Sequence, residues 1–248
     1  MKLIRRAKKA LYNIIDSSLS RKVDSSSVLN GPFKGMKYTA REAYCSSRWP
    51  KIIGSYEAEL HESIDQLRER NYDQVWDVGC AEGYYAVGFA RLFPSAQVHA
   101  FDISEKARKM CHLLAQENEL GERVKIEQEC RPESFGRLDP KKRNLVFCDC
   151  EGYEQNLFTE FNLKQLLNTD VLIELHEHLR NGVRLQLESL FNKTHDLIII
   201  ETVSDFKKAW SYKFWPLNPM NILERRYATA ERRYVKMYWL VGLAKTDV

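Results

Sequence analysis

Three short segments of this 248-residue chain concentrate side chains that can bind or react. The first runs Asp77-Val-Gly-Cys-Ala-Glu-Gly83 into Tyr84-Tyr85, an acid followed by two glycines. A pyrophosphate loop needs Gly-x-Gly-x-x-Gly, so that backbone amides can close on phosphate oxygens. Gly79 and Gly83 are spaced Gly-x-x-x-Gly instead, which suits a ligand with a nucleoside and a cationic amino-acid part but no pyrophosphate. Glycine lets such a ligand press on the backbone, and Asp77 suits an ammonium group. The second segment ends in Asp102, nineteen residues after Gly83, where a carboxylate can accept both ribose hydroxyl hydrogens. The third is a pair of clusters: Asp149 and Glu151 after one apolar run, and Glu174, His176 and His178 after the next. A glycine pair alone makes a tight turn, and a lone Asp102 caps a helix. Strand, acid, glycine pair, helix, strand and acid in that order point to a ligand.

The elements that must position these groups alternate. Residues 74–78, 96–101, 124–128, 144–148, 170–175, 197–203 and 234–244 read as strands, from apolar runs or period-two alternation. Between the first two strands a helix runs from Gly83 to Leu92, and Ser104 caps another reaching about Leu120. A helix over 56–70 precedes the first strand, and a helical stretch separates the fourth and fifth. Strands separated by helices mean βαβ units and a parallel sheet, so the fold class is α/β, doubly wound. Ligands of such sheets bind beyond the carboxyl ends of the strands, where strand order reverses. Residues 3–15 place Leu3, Ile4, Ala7, Leu11, Ile14 and Ile15 on one face of a basic amphipathic helix. Such a helix either packs on the domain that follows or lies on an anionic membrane surface, and packing is the commoner outcome.

Composition excludes several classes. The chain is 44% apolar and 29% charged, close to an average soluble domain, so disorder and low complexity drop out. No apolar run reaches the roughly 20 residues a membrane span needs. The net charge of +4 is uneven: residues 1–22 hold seven basic side chains against Asp16, leaving −2 for the remainder. A slightly acidic body argues against a broad nucleic-acid face. The six cysteines include no Cys-x-x-Cys pair, and no secretory signal opens the chain, so reduced, mostly buried thiols in the cytoplasm are expected.

The pattern resembles the class I S-adenosylmethionine-dependent methyltransferases. Val-Trp-Asp-Val-Gly-Cys-Ala-Glu-Gly-Tyr-Tyr, His-Ala-Phe-Asp and Cys-Asp-Cys-Glu-Gly-Tyr-Glu (148–154) are similar to the three signature segments of its FkbM-like branch, and Val171-Leu-Ile-Glu-Leu-His-Glu-His178 also fits. Cys80, Glu82 and Asp102 depart from the residues common there. The resemblance covers about residues 50–245. It implies a mostly parallel, seven-stranded Rossmann-like sheet whose last strand is antiparallel, forming a methyltransferase domain over 51–248 after an extension over 1–50. It implies S-adenosylmethionine as donor, held by Asp77, Gly79, Cys80, Ala81, Gly83, Tyr84, Asp102, Ile103 and Asp149.

Methyl transfer from a sulfonium is an in-line displacement that needs positioning and, for an alcohol, a base. Asp149-Cys-Glu-Gly-Tyr lacks the Pro-Pro-aromatic run that amine methylation on nucleobases uses after the fourth strand, so hydroxyl methylation is favoured. Alternation puts Glu174 and His176 on one face of their strand. His176 is the preferred base because imidazole titrates near neutrality, with Asp149 and Glu174 beside it. Asp149, Glu151, Glu174 and His176 could also hold a divalent metal, which the lack of a tight ligand motif disfavours. An insertion over 204–233 interleaves aromatic with basic residues. It reads either as a flap for a saccharide or flat small molecule, or as a segment packed on the domain. The expected protein is therefore a cytoplasmic O-methyltransferase of a small-molecule hydroxyl, a saccharide or glycan precursor, with peripheral membrane contact through 1–22 open. Its rivals are a catalytically silent donor-binding module, an RNA methyltransferase and a nicotinamide-dependent oxidoreductase. The last would need the pyrophosphate loop this chain lacks.

Overall fold

The computed structural model describes residues 2–40, 42–233 and 235–245. Seven strands form one sheet: β1 (Gln74–Val78), β2 (Gln97–Phe101), β3 (Val124–Glu127), β4 (Asn144–Cys148), β5 (Thr169–Leu175), β6 (His195–Glu201) and β7 (Tyr238–Ala244). Their order is β3-β2-β1-β4-β5-β7-β6. All pairs from β3 to β5 are parallel, and β7 runs antiparallel to both β5 and β6. This is the doubly wound sheet with an antiparallel last strand that the sequence led us to expect. Strand order reverses between β1 and β4, which marks the crevice where such folds bind ligands.

Both faces of the sheet are covered, which explains why β4 and β5 read as unbroken apolar runs. On one face Trp76, Val146, Cys148, Val171 and Ile173 pack with Leu187 and Phe191 of α7 (Val183–Phe191). On the other, Phe147 stacks on Tyr85 of α4 (Tyr84–Leu92) with ring centroids 4.0 Å apart and meets Trp239 of β7 at 5.2 Å. Alternation along β1 sends Asp77 to the face opposite Trp76. The helix α5 (Glu105–Glu117) begins as read, with the Ser104 hydroxyl accepting the Ala107 N–H at 3.3 Å.

Some expectations shift. The helix over 56–70 is α3 (His61–Leu67) between two 3-10 turns, Ala58–Leu60 and Arg68–Arg70. Between β4 and β5 lie only a short helix, α6 (Glu154–Leu157), and a 3-10 turn. Strand β7 starts at Tyr238 rather than 234, and Tyr234 lies outside the described residues. The N-terminal helix α1 (Lys2–Lys22) buries Ile15 and Leu19, whereas Leu11 and Ile14 are exposed. Burial follows the turns beside Ser18 and Lys22, which both bind the Glu224 carboxylate. The side chains of Leu3, Ile4 and Ala7 lie outside the described residues.

Two compact units divide the chain: residues 1–58 with 203–234, and residues 59–202 with 235–248. The second unit contains the sheet. The first contains α1, α2 (Arg48–Ile53), and the segment between β6 and β7, which folds as α8 (Asp205–Ser211), a 3-10 turn and α9 (Ile222–Thr229). The segment read as a flap or a packed insertion thus shares a unit with the N-terminal residues. Arg225 ties that segment together, donating to the carbonyls of Ala209 at 2.8 Å and Leu217 at 3.2 Å.

Candidate functional site

Sheet register brings the chemistry-bearing residues into line. Val78 pairs with Phe101 on one side and Cys148 on the other, and Cys148 pairs with Ile173. Gly79, Asp102, Asp149 and Glu174 are therefore the next residues of four neighbouring strands, side by side at the carboxyl edge. Residues far apart in sequence meet here because Gly79, Asp102 and Asp149 each follow the last residue of their strand, and Glu174 lies one residue before the end of β5.

The loop after β1 is tightly bonded. The N–H groups of Gly79 and Cys80 both donate to the Phe101 carbonyl at 2.9 Å, and Gly83 N–H donates to the Cys80 carbonyl at 2.7 Å. Gly79, Ala81 and Gly83 have φ of 87°, 47° and 93°, three left-handed residues in five. Two of these glycines answer to the protein's own packing: a Cβ on Gly79 would sit 1.7 Å from the Asp149 carbonyl oxygen, and one on Gly83 2.7 Å from Cys111 Sγ. The αL conformation favours glycine there as well. Cys80 and Tyr84 are buried, and the Cys80 thiol is held well above its usual range by its contact with Cys111 and by burial. It stays protonated and inert.

Asp102 locks this loop. Its Oδ2 accepts the Ala81 N–H at 3.0 Å and its Oδ1 accepts the Ser104 N–H at 2.7 Å. Each oxygen keeps acceptor capacity, because a carboxylate offers about four lone-pair sites. Ile103, next in the chain, is 78% exposed, an apolar surface beside the carboxylate. Asp77 lies buried one residue before the end of β1.

The opposite wall centres on His176, which is 1% exposed. Its Nδ1 lies 2.8 Å from Glu154 Oε1, which also accepts the N–H groups of Cys150 at 3.3 Å and Gly152 at 3.2 Å. Burial alone would raise the Glu154 pKa, but bonding to His176 and these amides holds it below the usual carboxylate range. A carboxylate only accepts, so Nδ1 of His176 carries the proton. Nε2 then faces Asp149 Oδ1 at 3.5 Å, Glu151 Oε2 at 3.5 Å and Glu174 Oε2 at 3.6 Å. Burial pushes the imidazole pKa down, but Glu154 and the Glu174 and Glu151 charges outweigh it and raise it above its ordinary value. Such an arrangement can take a proton at Nε2 and stabilise the imidazolium through Glu154. Ligand atoms of Asp149, Glu151 and His176 also lie within 4.8 Å of one another, close enough to hold a cation.

Glu154 carries no role in the sequence reading. It lies in the 148–154 segment, but its partner is twenty-two residues downstream. The chain turns back through left-handed Glu151 and Gly152, at φ of 54° and 95°. Glu-Gly after a strand end is the available signal for that turn. His178 is exposed, with its ring 5.8 Å from that of His176.

No family model matches the chain. A 49-residue stretch is 43% identical to the release factor glutamine methyltransferase of Thermosynechococcus vestitus, covering 20% of this chain and 17% of that protein. Among solved structures, the chain is similar to the bifunctional kinase-methyltransferase WbdD, with 14% identity and a TM-score of 0.48 over 75% of this chain and 38% of that one. It is also similar to an O-methyltransferase from Bacillus cereus in complex with SAH, with 12% identity and a TM-score of 0.47 over 71% of this chain and 77% of that one. The chain thus spans less than a fifth of the curated relative and less than half of WbdD.

Proposed function

We propose that the protein is an S-adenosylmethionine-dependent methyltransferase acting on a hydroxyl of a small-molecule acceptor, a saccharide or glycan precursor. The observation that carries this reading is the glycine loop locked by Asp102 at the switch point of the sheet. It leaves carboxylate acceptors for two ribose hydroxyls, with apolar Ile103 beside them for a flat base. In this reading Asp77, Gly79, Cys80, Ala81, Gly83 and Tyr84 form the floor of the donor site, and Asp149 closes it from β4. The short sequence relative, itself a methyltransferase by name, agrees with the class.

Hydroxyl specificity rests on the Glu154–His176 pair. The acceptor oxygen attacks the methyl carbon in line with the departing sulfur, so a C–O bond forms as the C–S bond breaks and its electrons return to sulfur. The hydroxyl proton passes to Nε2 of His176, and Glu154 holds the ring and offsets the new charge. Asp149 and Glu174 flank that nitrogen and orient the acceptor.

The Asp149–Glu151–His176 cluster favours a second reading of the same wall. A divalent cation bound there would supply Lewis-acid polarisation of the acceptor hydroxyl, and His176 would then be a ligand rather than the base. The experiment is transfer of tritiated methyl from the donor into fractionated metabolites and glycans, with wild type and His176→Ala, with and without EDTA. Incorporation that survives EDTA but falls about a hundredfold or more in His176→Ala supports the base. Loss with EDTA supports the cation. Absence of incorporation into every fraction overturns the enzyme reading in favour of a silent donor-binding module.

A further inference from the structure

The chain's net charge of +4 conceals two opposite halves. By sequence, the unit of residues 1–58 and 203–234 holds nineteen Lys and Arg against seven Asp and Glu, a net of +12. The sheet-bearing unit holds nineteen against twenty-seven, a net of −8. The basic character therefore belongs to a folded unit that recruits the segment between β6 and β7, and extends well beyond the N-terminal helix.

Inside that unit five of the seven acids are engaged by its own groups, and only Asp24 and Glu42 are exposed. Glu224 is buried and receives Lys22 Nζ at 2.7 Å and the Ser18 hydroxyl at 2.6 Å. Buried Glu231 pairs with Lys208, and buried Glu57 with Arg233. Asp205 accepts the N–H groups of Glu231 at 2.9 Å and Arg232 at 3.0 Å, and Asp16 accepts from Trp49 at 2.6 Å. The charged side chains exposed in α8, α9 and their connections are all cationic: Lys207, Lys213, Arg226 and Arg232.

The same stretch exposes large apolar side chains. On α8, Phe206 and Trp210 sit one turn apart with ring centroids at 6.4 Å, and they are 67% and 65% exposed. Trp215, Ile222 and Leu223 are exposed as well, and so are Leu11 and Ile14 of α1. Of the chain's five tryptophans, Trp49, Trp76 and Trp239 are buried, and both exposed ones lie in this stretch. Exposed Trp, Phe and aliphatic groups beside Lys and Arg match an interface whose outer layer is anionic and whose inner layer is hydrocarbon. Aliphatic groups such as Leu223 and Ile14 gain nothing from stacking on nucleobases, which disfavours RNA as the partner. No helix among the described residues is long and apolar enough to cross a membrane, so contact would be peripheral.

We propose that this cationic unit docks the protein on an anionic lipid bilayer, with Phe206, Trp210 and Trp215 seated at the headgroup level. The proposal is independent of the methyltransferase reading, and donor binding is not one of its readouts. The test is sedimentation of the full chain with vesicles of phosphatidylcholine containing one-fifth phosphatidylserine, against pure phosphatidylcholine vesicles, with tryptophan emission recorded in parallel. Binding to the anionic vesicles with a blue shift is expected, and weak partitioning to the neutral ones. Each surface cation contributes about fivefold to binding, so Lys207→Gln, Lys213→Gln and Arg226→Gln together should weaken it about a hundredfold. Trp210→Phe with Trp215→Phe should abolish the blue shift at unchanged melting temperature, because the remaining tryptophans are already buried. Equal binding to neutral vesicles, or no vesicle binding beside tight binding of a fluorescent oligouridylate, would overturn the proposal.

Discussion

Replacing Asp102 by Asn tests the donor site with almost no change in shape. Both carboxylate oxygens already receive a backbone N–H, from Ala81 at 3.0 Å and Ser104 at 2.7 Å. In Asp102→Asn one oxygen becomes an NH2 group, which must confront one of those donors. One charge-assisted bond to the loop is lost, worth about 1.5–3 kcal/mol, and one ribose hydroxyl loses its acceptor. We take about 3 kcal/mol as the sum that reaches ligand affinity, so S-adenosylhomocysteine should bind roughly a hundredfold more weakly. Asp102→Ala should lose at least as much. Isothermal titration gives the affinity, and circular dichroism with thermal melting confirms that the sheet is intact. Affinities within about threefold of wild type in both variants would refute the assignment of Asp102 to the donor, whatever the fate of the loop.

Other consequences are equally concrete. Gly79→Ala places a Cβ 1.7 Å from the Asp149 carbonyl at φ of 87°, and should destabilise by more than about 2 kcal/mol in urea unfolding. Gly136→Ala meets nothing within 4 Å and should be neutral or stabilising by up to about 1 kcal/mol; a large loss there would discredit the packing argument. Buried Asp170 accepts Tyr72 Oη–H at 2.5 Å and Ala244 N–H at 2.8 Å and pairs with Arg70 at 2.7 Å, so Asp170→Ala should cost about 3–5 kcal/mol in the same unfolding assay. Lys22 and Ser18 hold the Glu224 carboxyl at about 2, below its ordinary 4.5. A depressed pKa stabilises the fold above the unfolded-state value and ceases to do so as pH falls through the folded one. The stability gap between wild type and Glu224→Gln should therefore be full above pH 4.5 and close by about pH 2. A gap that stays constant over that window would exclude the clamp.

Local patterns made the sheet and the glycine loop after β1 legible. The apolar run of β1, the glycines that follow it and the Ser104 cap are all decided within a few residues. Even so, Gly79 and Gly83 prove to be demanded by contacts with Asp149 and Cys111, which sequence spacing cannot display. Glu154 escaped because its meaning comes from His176, across a left-handed turn and a strand. The N-terminal unit escaped for the same reason at greater range. Glu224 binds Lys22 across 202 residues, so the buried face of α1 could not be assigned from its own periodicity. The charge of residues 1–22 by itself omits the cations that α8 and α9 add to that unit.

Binding of S-adenosylmethionine at the edge formed by Gly79, Asp102 and Asp149 underlies every step proposed for the reaction. Isothermal titration of the wild-type chain with S-adenosylhomocysteine probes that binding without needing the acceptor. One site per chain is expected, with a micromolar dissociation constant and a raised melting temperature at saturation. No heat of binding and no thermal shift at millimolar ligand, beside measurable binding of NADH, would contradict it.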